Sequence, residues 1–414
     1  MAESSSGVSG GALAKIRVLD LSRVLAGPWA SQLLADYGAD VIKVEQPGKG
    51  DDTRAWGPPW LKDDERNETS DSAYFLSTNR NKRSLTVNLA HPDGSRIVRD
   101  LAEQCDVVIE NFRVGTLKRF GLDYESLSAL NPGLIYCSIS AYGQSGSRSG
   151  RPGYDAMIQA SGGLMSITGA ADEEGGSPQK VGVAIADIMA GMYATTAVLA
   201  ALVARDDRGE GQHIDVPLYD SQVAWLANQN MNYLVGGLVP GRQGTGHPNI
   251  VPYQTFATAD GHLSLAVGND RQFRSCMECL GLEALSEDPR FSDNASRVAN
   301  RDVLVPLIAE KFREQPSASW LSRLGASGVP AGPINSIEDV FTEEYAAERQ
   351  LVRRLSRSGA DDIPTVSNPV RFSATPVSYR IAPPALGAHT HAILTTELGY
   401  SEEQIIALYE SGAI

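Results

Sequence analysis

Cysteine, aromatic residues, positive charge and long apolar runs are all scarce in this sequence, and each shortage excludes a class of protein. Four cysteines in 414 residues (Cys105, Cys137, Cys276, Cys279) are too few and too scattered for a disulfide framework. Lys and Arg number 36 against 50 Asp and Glu, a net charge of −14, which excludes a basic nucleic-acid face while leaving room for a local cationic pocket. No uninterrupted apolar run reaches the roughly 20 residues that span a bilayer. The most apolar run, 188–204, is bracketed by Asp187 and Arg205. The start, MAESSSGVSGGALAK, lacks an apolar secretory core and an Arg-rich presequence pattern, so 1–13 is expected to be disordered and the protein cytoplasmic. The six histidines (91, 213, 247, 262, 389, 391) show no metal-ligand spacing, and no metal is expected. Cys276-x-x-Cys279 lacks a second ligand pair and reads as two buried thiols on one helix.

What is present is alternation. IRVLDL (16–21), WASQLLADYG (29–38, after Pro28) and ADVIKVE (39–45) form a strand–helix–strand unit. Strands at 85–89, 105–112 and 134–143 alternate with helical patterns at 92–104 and 114–132. The pattern predicts an α/β fold: a large doubly wound, Rossmann-like parallel sheet. Glu45 ends the second strand where a ribose-binding acid would sit, but the first turn has only Gly27, so no G-x-G-x-x-G cradles a pyrophosphate. After residue 237 the alternation lapses, which places a smaller α+β domain there.

Three stretches carry possible chemistry. The first is VGVAIADIMAGMYATTAVLAALVAR (181–205), where a single acid, Asp187, precedes a nearly uncharged helix. An Asp in that position is an N-cap; if a substrate reaches it, the same carboxylate is a nucleophile. The second is the polar loop 46–83, where Arg54, Arg80, Lys82 and Arg83 either meet an anionic ligand or are plain surface charge. The third is GRQGTGHPNIVPYQTF (241–256), whose glycines suit either a flap closing by its backbone or an interdomain linker. Ligands of doubly wound sheets collect beyond the strand C-termini, which draws attention to Glu110, Asn111, Phe112 and Tyr142–Gly143.

VLDLSRVLAGPWASQLLADYGADVIKVEQPGKGDDTR, NRNKRSLTVNL, VIENFRVG, GLDYESLSALNPGLIYCSISAYGQSG, GYDAMIQASGG and VAIAD follow one another in an order and spacing that resemble the class III CoA-transferases, the formyl-CoA transferase and carnitine CoA-transferase family. DDTRAWGPPW, GTGHPNIVPYQTF, SGVPAGPIN and PPALGAHT are most similar to its succinyl-CoA:glutarate (dicarboxylate) branch. The resemblance implies a CoA-transferase that moves CoA from an acyl-CoA such as succinyl-CoA to a free dicarboxylate (glutarate, malate, citramalate or similar). CoA and acyl-CoA are then substrates, with no permanently bound cofactor.

It implies that Asp187 carries aspartyl anhydride and aspartyl-CoA thioester intermediates. Val24, Leu25, Gln46, Val87, Asn111, Phe112 and Arg119 would line the CoA nucleotide, and Tyr154 and Asp155 the thioester. Gly244, Gly246 and His247 would lie in the shielding loop, and Arg54, Arg80, Arg83 or His247 would meet the acceptor's distal carboxylate. Leu25 and Gln46 stand where formyl-CoA transferase has Gln and Arg, which argues against formyl-CoA/oxalate specificity. Backbone N–H groups at the start of the 188–204 helix, or of the glycine segment, are the oxyanion donors expected.

The resemblance further implies an interlocked homodimer. The first part of the large CoA-binding domain would be 12–222, a linker helix and glycine-rich loop 223–244, the small domain 245–340, and 341–414 would return to the large domain. Two rivals are an α-methylacyl-CoA racemase and a non-catalytic CoA-binding protein. The racemase's acid/base His would fall at position 154, where this chain has Tyr, a poor base at neutral pH.

Overall fold

The computed structural model describes residues 11–414; the start expected to be disordered lies, up to residue 10, outside them. Six parallel strands form the main sheet: β1 (Arg17–Asp20), β2 (Asp40–Glu45), β3 (Lys82–Thr86), β4 (Val107–Glu110), β5 (Ile135–Ser140) and β6 (Gln212–Pro217). Their order across the sheet is β3-β2-β1-β4-β5-β6, the doubly wound arrangement expected, and the direction of winding reverses between β1 and β4. The inner strands β1, β2, β4 and β5 read as mostly apolar because helices cover both faces, whereas the edge strands β3 and β6 are more polar. On one face α2 (Pro92–Ala102) packs with two C-terminal helices, α8 (Thr390–Thr396) and α9 (Glu402–Ser411), through Ile97, Leu101, Ile393 and Leu408. On the other lie α1 (Ala26–Asp36) and α4 (Ile185–Arg208), sharing Ala30, Leu34, Ala190, Ala194 and Val198.

The helix α4 is 24 residues long and starts before the 188–204 run expected. Contrary to the sequence reading, it is long and apolar enough by composition to cross a membrane. Here its small residues allow close packing on α1: a Cβ placed on Gly191 would lie 2.7 Å from the carbonyl oxygen of Ala26. α9 opens with the capping box suggested by its sequence, Ser401 and Gln404 each accepting the other's backbone N–H.

The chain divides into two compact units. One comprises the chain through Gly162, Gly182–Asn230 and Tyr345–Ile414. The other comprises Gly163–Val181 and Met231–Glu344, so the 163–181 insert, expected within the large domain, groups with the small one. The second unit holds the antiparallel strands β7 (Tyr253–Ala257), β8 (His262–Ala266) and β9 (Ala331–Pro333). Against them pack α5 (Asp270–Leu280), α6 (Arg301–Phe312) and α7 (Ser317–Ala326), around Leu263, Phe273, Ile308 and Trp320. Cys276 and Cys279 are buried free thiols on α5, as their spacing suggested.

Candidate active site

The reversal between β1 and β4 leaves a crevice at the strand ends, and the turn 21–25 after β1 divides it into two cavities. The first, about 240 Å³, is lined by Val24, Leu25, Asn111, Phe112, Tyr154 and Asp187, together with Arg23, Arg113 and Arg151. The second, about 300 Å³, is lined by Gln46, Val87, Lys43, Asp51, Phe112 and Phe120. Arg23 and Phe112 wall both, the guanidinium lying 5.3 Å from the centre of the ring. Seven of the residues expected around an acyl-CoA therefore meet along one crevice, although they come from five separate stretches of chain.

Asp187 does not cap its helix. α4 begins at Ile185, so Asp187 is the third helical residue, and the cap comes from elsewhere. Asp155, the first residue of α3 (Asp155–Ser161), places Oδ1 2.7 Å from the N–H of Ala186 and 3.3 Å from that of Asp187. Its Oδ2 accepts from Gln159 Nε2 at 2.6 Å. Asp155 is thus turned away from the cavity and towards α4, which corrects its expected place beside a thioester. The same bonds correct the expected oxyanion donors. The N–H groups of Ala186 and Asp187 are taken by Asp155, that of Ile185 by Val183 O and that of Ile188 by Ala184 O.

The Asp187 side chain is half-buried and, among the described residues, accepts no hydrogen bond and meets no cation. Burial, with Asp155 adding its charge, pushes its carboxyl up to about 7. Tyr74, in the 46–83 loop, is driven up to about 12 by burial and then by Asp187, Asp155 and Asp51. It packs edge-on against Trp56, ring centres 5.2 Å apart.

Of the basic residues of the 46–83 loop, Arg54, Arg80, Lys82 and Arg83 are each paired with carboxylates inside the fold, while Lys49, Lys62 and Arg66 are exposed. Arg54 is buried between Glu45 (2.8 Å) and Asp71 and stacks on Phe75, which also accounts for Glu45. Arg80 pairs with Asp36 at 2.6 Å, Lys82 with Asp20 at 3.1 Å, and Arg83 with Asp40 at 2.5 Å and with Glu397. Arg54, Arg80 and Arg83 are therefore removed as carboxylate-binding cations. Arg119 is exposed on the turn Leu117–Phe120 and lines neither cavity. Gly244, Gly246 and His247 belong to the second unit. The N–H of Gly244 donates to Gly169 O at 3.0 Å, that of Gly246 to Gln243 O at 2.8 Å, and His247 stacks on Tyr253. Burial, and then Arg301, lowers the His247 pKa, which disfavours its use as a cation.

Lys43 and Asp51 escaped the sequence reading. Their ion pair, 2.9 Å and wholly buried, sits under the turn 21–25. The signal was a lysine inside the apolar run ADVIKVE, since a buried lysine needs a partner.

The doubly wound sheet, with a half-buried carboxylate lining the crevice at its reversal and no glycine cradle for a dinucleotide, defines an α/β protein with a small-molecule crevice at its switch point. The model of CoA-transferase family III matches residues 13–390. Succinate–glutarate CoA-transferase of Agrobacterium fabrum is 49% identical over 92% of this chain and 94% of its own length. Succinyl-CoA:glutarate CoA-transferase of Mus musculus is 45% identical over 96% and 89%. The crystal structure of a CaiB/BaiF family protein from Brucella suis superimposes with TM-score 0.81 at 46% identity, covering 93% of this chain and 98% of that one. The chain belongs to CoA-transferase family III and is an enzyme of that class.

Proposed function

We propose that the enzyme transfers CoA from succinyl-CoA to a free dicarboxylate of the glutarate kind through covalent intermediates on Asp187. The observation that carries this is the state of Asp187: half-buried, lining the crevice at the sheet's reversal, and making no ion pair among the described residues. Such a carboxylate is poorly solvated and correspondingly nucleophilic once ionised.

In this scheme the Asp187 carboxylate attacks the donor's thioester carbonyl. The C–S bond breaks, CoA leaves as thiolate, and a mixed anhydride remains. The thiolate then attacks the Asp187 carbonyl, expelling succinate and leaving an aspartyl-CoA thioester. The acceptor carboxylate repeats the sequence in reverse: its attack on Asp187 frees the thiolate and forms a second anhydride. The thiolate takes the acceptor's acyl carbon and restores the Asp187 carboxylate. Each step exchanges one C–O for one C–S bond, or the reverse, so no net proton or electron is required. Because anhydrides hydrolyse, water must be excluded while they persist.

The names and identity of the relatives support the succinate and glutarate assignment. We propose a homodimer as well, since Val235 and Val239 are 79% and 82% exposed beside Leu234 and Leu238, an apolar row suited to a second chain. The test is a transfer assay with succinyl-CoA and a panel of dicarboxylates, reading each new acyl-CoA by mass spectrometry. Glutaryl-CoA formed by the wild type and not by Asp187→Ala supports the proposal. Deuterium exchange at the α-carbon of a branched acyl-CoA, without transfer, would replace it with racemase chemistry.

A further inference from the structure

The turn 21–25 contains an anomaly that the transfer scheme leaves unused. Val24 has φ +70°, the left-handed region that a β-branched residue strongly resists. No glycine stands there, so something must hold the turn. Two residues far away in sequence do so. Asn111, at the end of β4, brackets Arg23 on both sides: its Oδ1 accepts the Arg23 N–H at 2.8 Å and its Nδ2 donates to the Arg23 carbonyl at 2.7 Å. Asp51 accepts the Val24 N–H with both carboxylate oxygens at 3.2 Å. Asp51 is itself fixed by Lys43 Nζ at 2.9 Å and by the N–H and hydroxyl of Thr53 at 3.0 and 2.8 Å, while Lys43 also donates to Ser22 O at 3.0 Å.

The held turn matters because of what it walls. Arg23 faces both cavities, Val24 and Leu25 face the one that contains Asp187, and Asp51 and Lys43 floor the other. The turn also delivers the chain into α1, whose Ala26 lies against Gly191 of α4, one turn on from Asp187. A relaxed Val24 would swing the partition between the cavities and release the start of α1.

We infer that Asp51, paired with Lys43, is a positioning residue that locks Val24 in its left-handed form and thereby shapes the crevice in which acyl-CoA sits beside Asp187. This rests on the reading that acyl-CoA occupies the two cavities. Asp51 touches no reacting atom. Its effect falls on binding, as the cost of a competent turn populated only part of the time.

The experiment uses Asp51→Ala, Val24→Gly and their combination. Glycine adopts positive φ without strain, so it replaces the lock without replacing the charge. Asp51→Ala is expected to abolish hydrogen-exchange protection at the Val24 amide and to raise KM for succinyl-CoA roughly tenfold, with kcat changing less. Adding Val24→Gly is expected to bring KM down again by at least about threefold. A role confined to neutralising Lys43 would not respond to Val24→Gly, so an unrescued double variant overturns the inference. Retained protection, or an unchanged KM, in Asp51→Ala overturns it too. Should Asp51→Ala alone fail to fold, Asp51→Ala with Lys43→Met removes both the acceptor for Val24 and the charge pair without stranding a cation. The same rescue by Val24→Gly is then expected, and its absence counts against the lock. If the wild type neither binds CoA nor transfers it, the proposed function fails, whereas Val24 amide exchange in these variants still decides whether the lock exists.

Discussion

Replacing Asp155 separates two effects that the structure assigns to one side chain. Its carboxylate caps α4 through the N–H groups of Ala186 and Asp187, and its charge raises Asp187. The Asp187 carboxyl stands near 7 against an ordinary 3.8, with burial the larger cause. Removing the charge of Asp155 should therefore lower it and, burial being the larger cause, leave it above normal. The nucleophile must be ionised, so kcat/KM is full above this pKa and lost as pH falls through it. At pH 6 the wild type should retain about a tenth of its plateau and Asp155→Asn a larger fraction.

Stability should divide the two variants. Asn keeps an oxygen for the helix start once Gln159 turns its amide over, whereas Ala leaves both N–H groups orphaned at a cost of about 1–2 kcal/mol. The assay is a pH series of kcat/KM beside urea unfolding of each variant. An acid limb unmoved, or moved upward, in folded Asp155→Asn would refute the coupling.

Three further outcomes follow from the same geometry. Asp187→Asn should stabilise the fold by about 1–2 kcal/mol at pH 8 and by almost nothing at pH 4, after allowance for its partial exposure. The sign follows from the raised folded-state pKa: the protonated carboxyl's contribution is complete below about 3.8 and lost as pH passes about 7, as urea melts at the two pH values would register. Arg54→Ala should cost about 3–5 kcal/mol in denaturant unfolding, because it strips buried Glu45 of its guanidinium and leaves Asp71 to Arg357 alone; a change confined to dicarboxylate KM would restore Arg54 as a substrate cation. Gly191→Ala forces a Cβ against Ala26 O and Trp29, and should cost about 1–3 kcal/mol and lower kcat as α4 shifts on α1, measured by unfolding and steady-state kinetics.

The order of strands and helices was legible because strands such as β4 and β5 are short, mostly apolar runs and helices such as α2 are periodic, and both signals are local. The site was legible in part. Asp187, Asn111, Phe112 and Tyr154 stood out as strand-end or helix-start residues, and they do meet. What the sequence hid is pairing over distance. The cap of α4 comes from Asp155, the partner of Arg80 is Asp36 and that of Arg83 is Glu397, so none of these was visible from neighbouring residues. Asp187 was misplaced at the helix boundary for the same reason, since the cap is tertiary rather than local. The left-handed Val24 had no local sign either, a valine being an improbable choice there unless the fold holds it.

The central claim is the covalent role of Asp187, and intact-protein mass spectrometry after mixing with succinyl-CoA addresses it most directly. The account predicts an adduct of CoA joined with loss of water, discharged by hydroxylamine to a hydroxamate that peptide mapping places at Asp187 and absent from Asp187→Ala. Turnover of succinyl-CoA and glutarate with no adduct under rapid quench, or a hydroxamate at another residue, would contradict it.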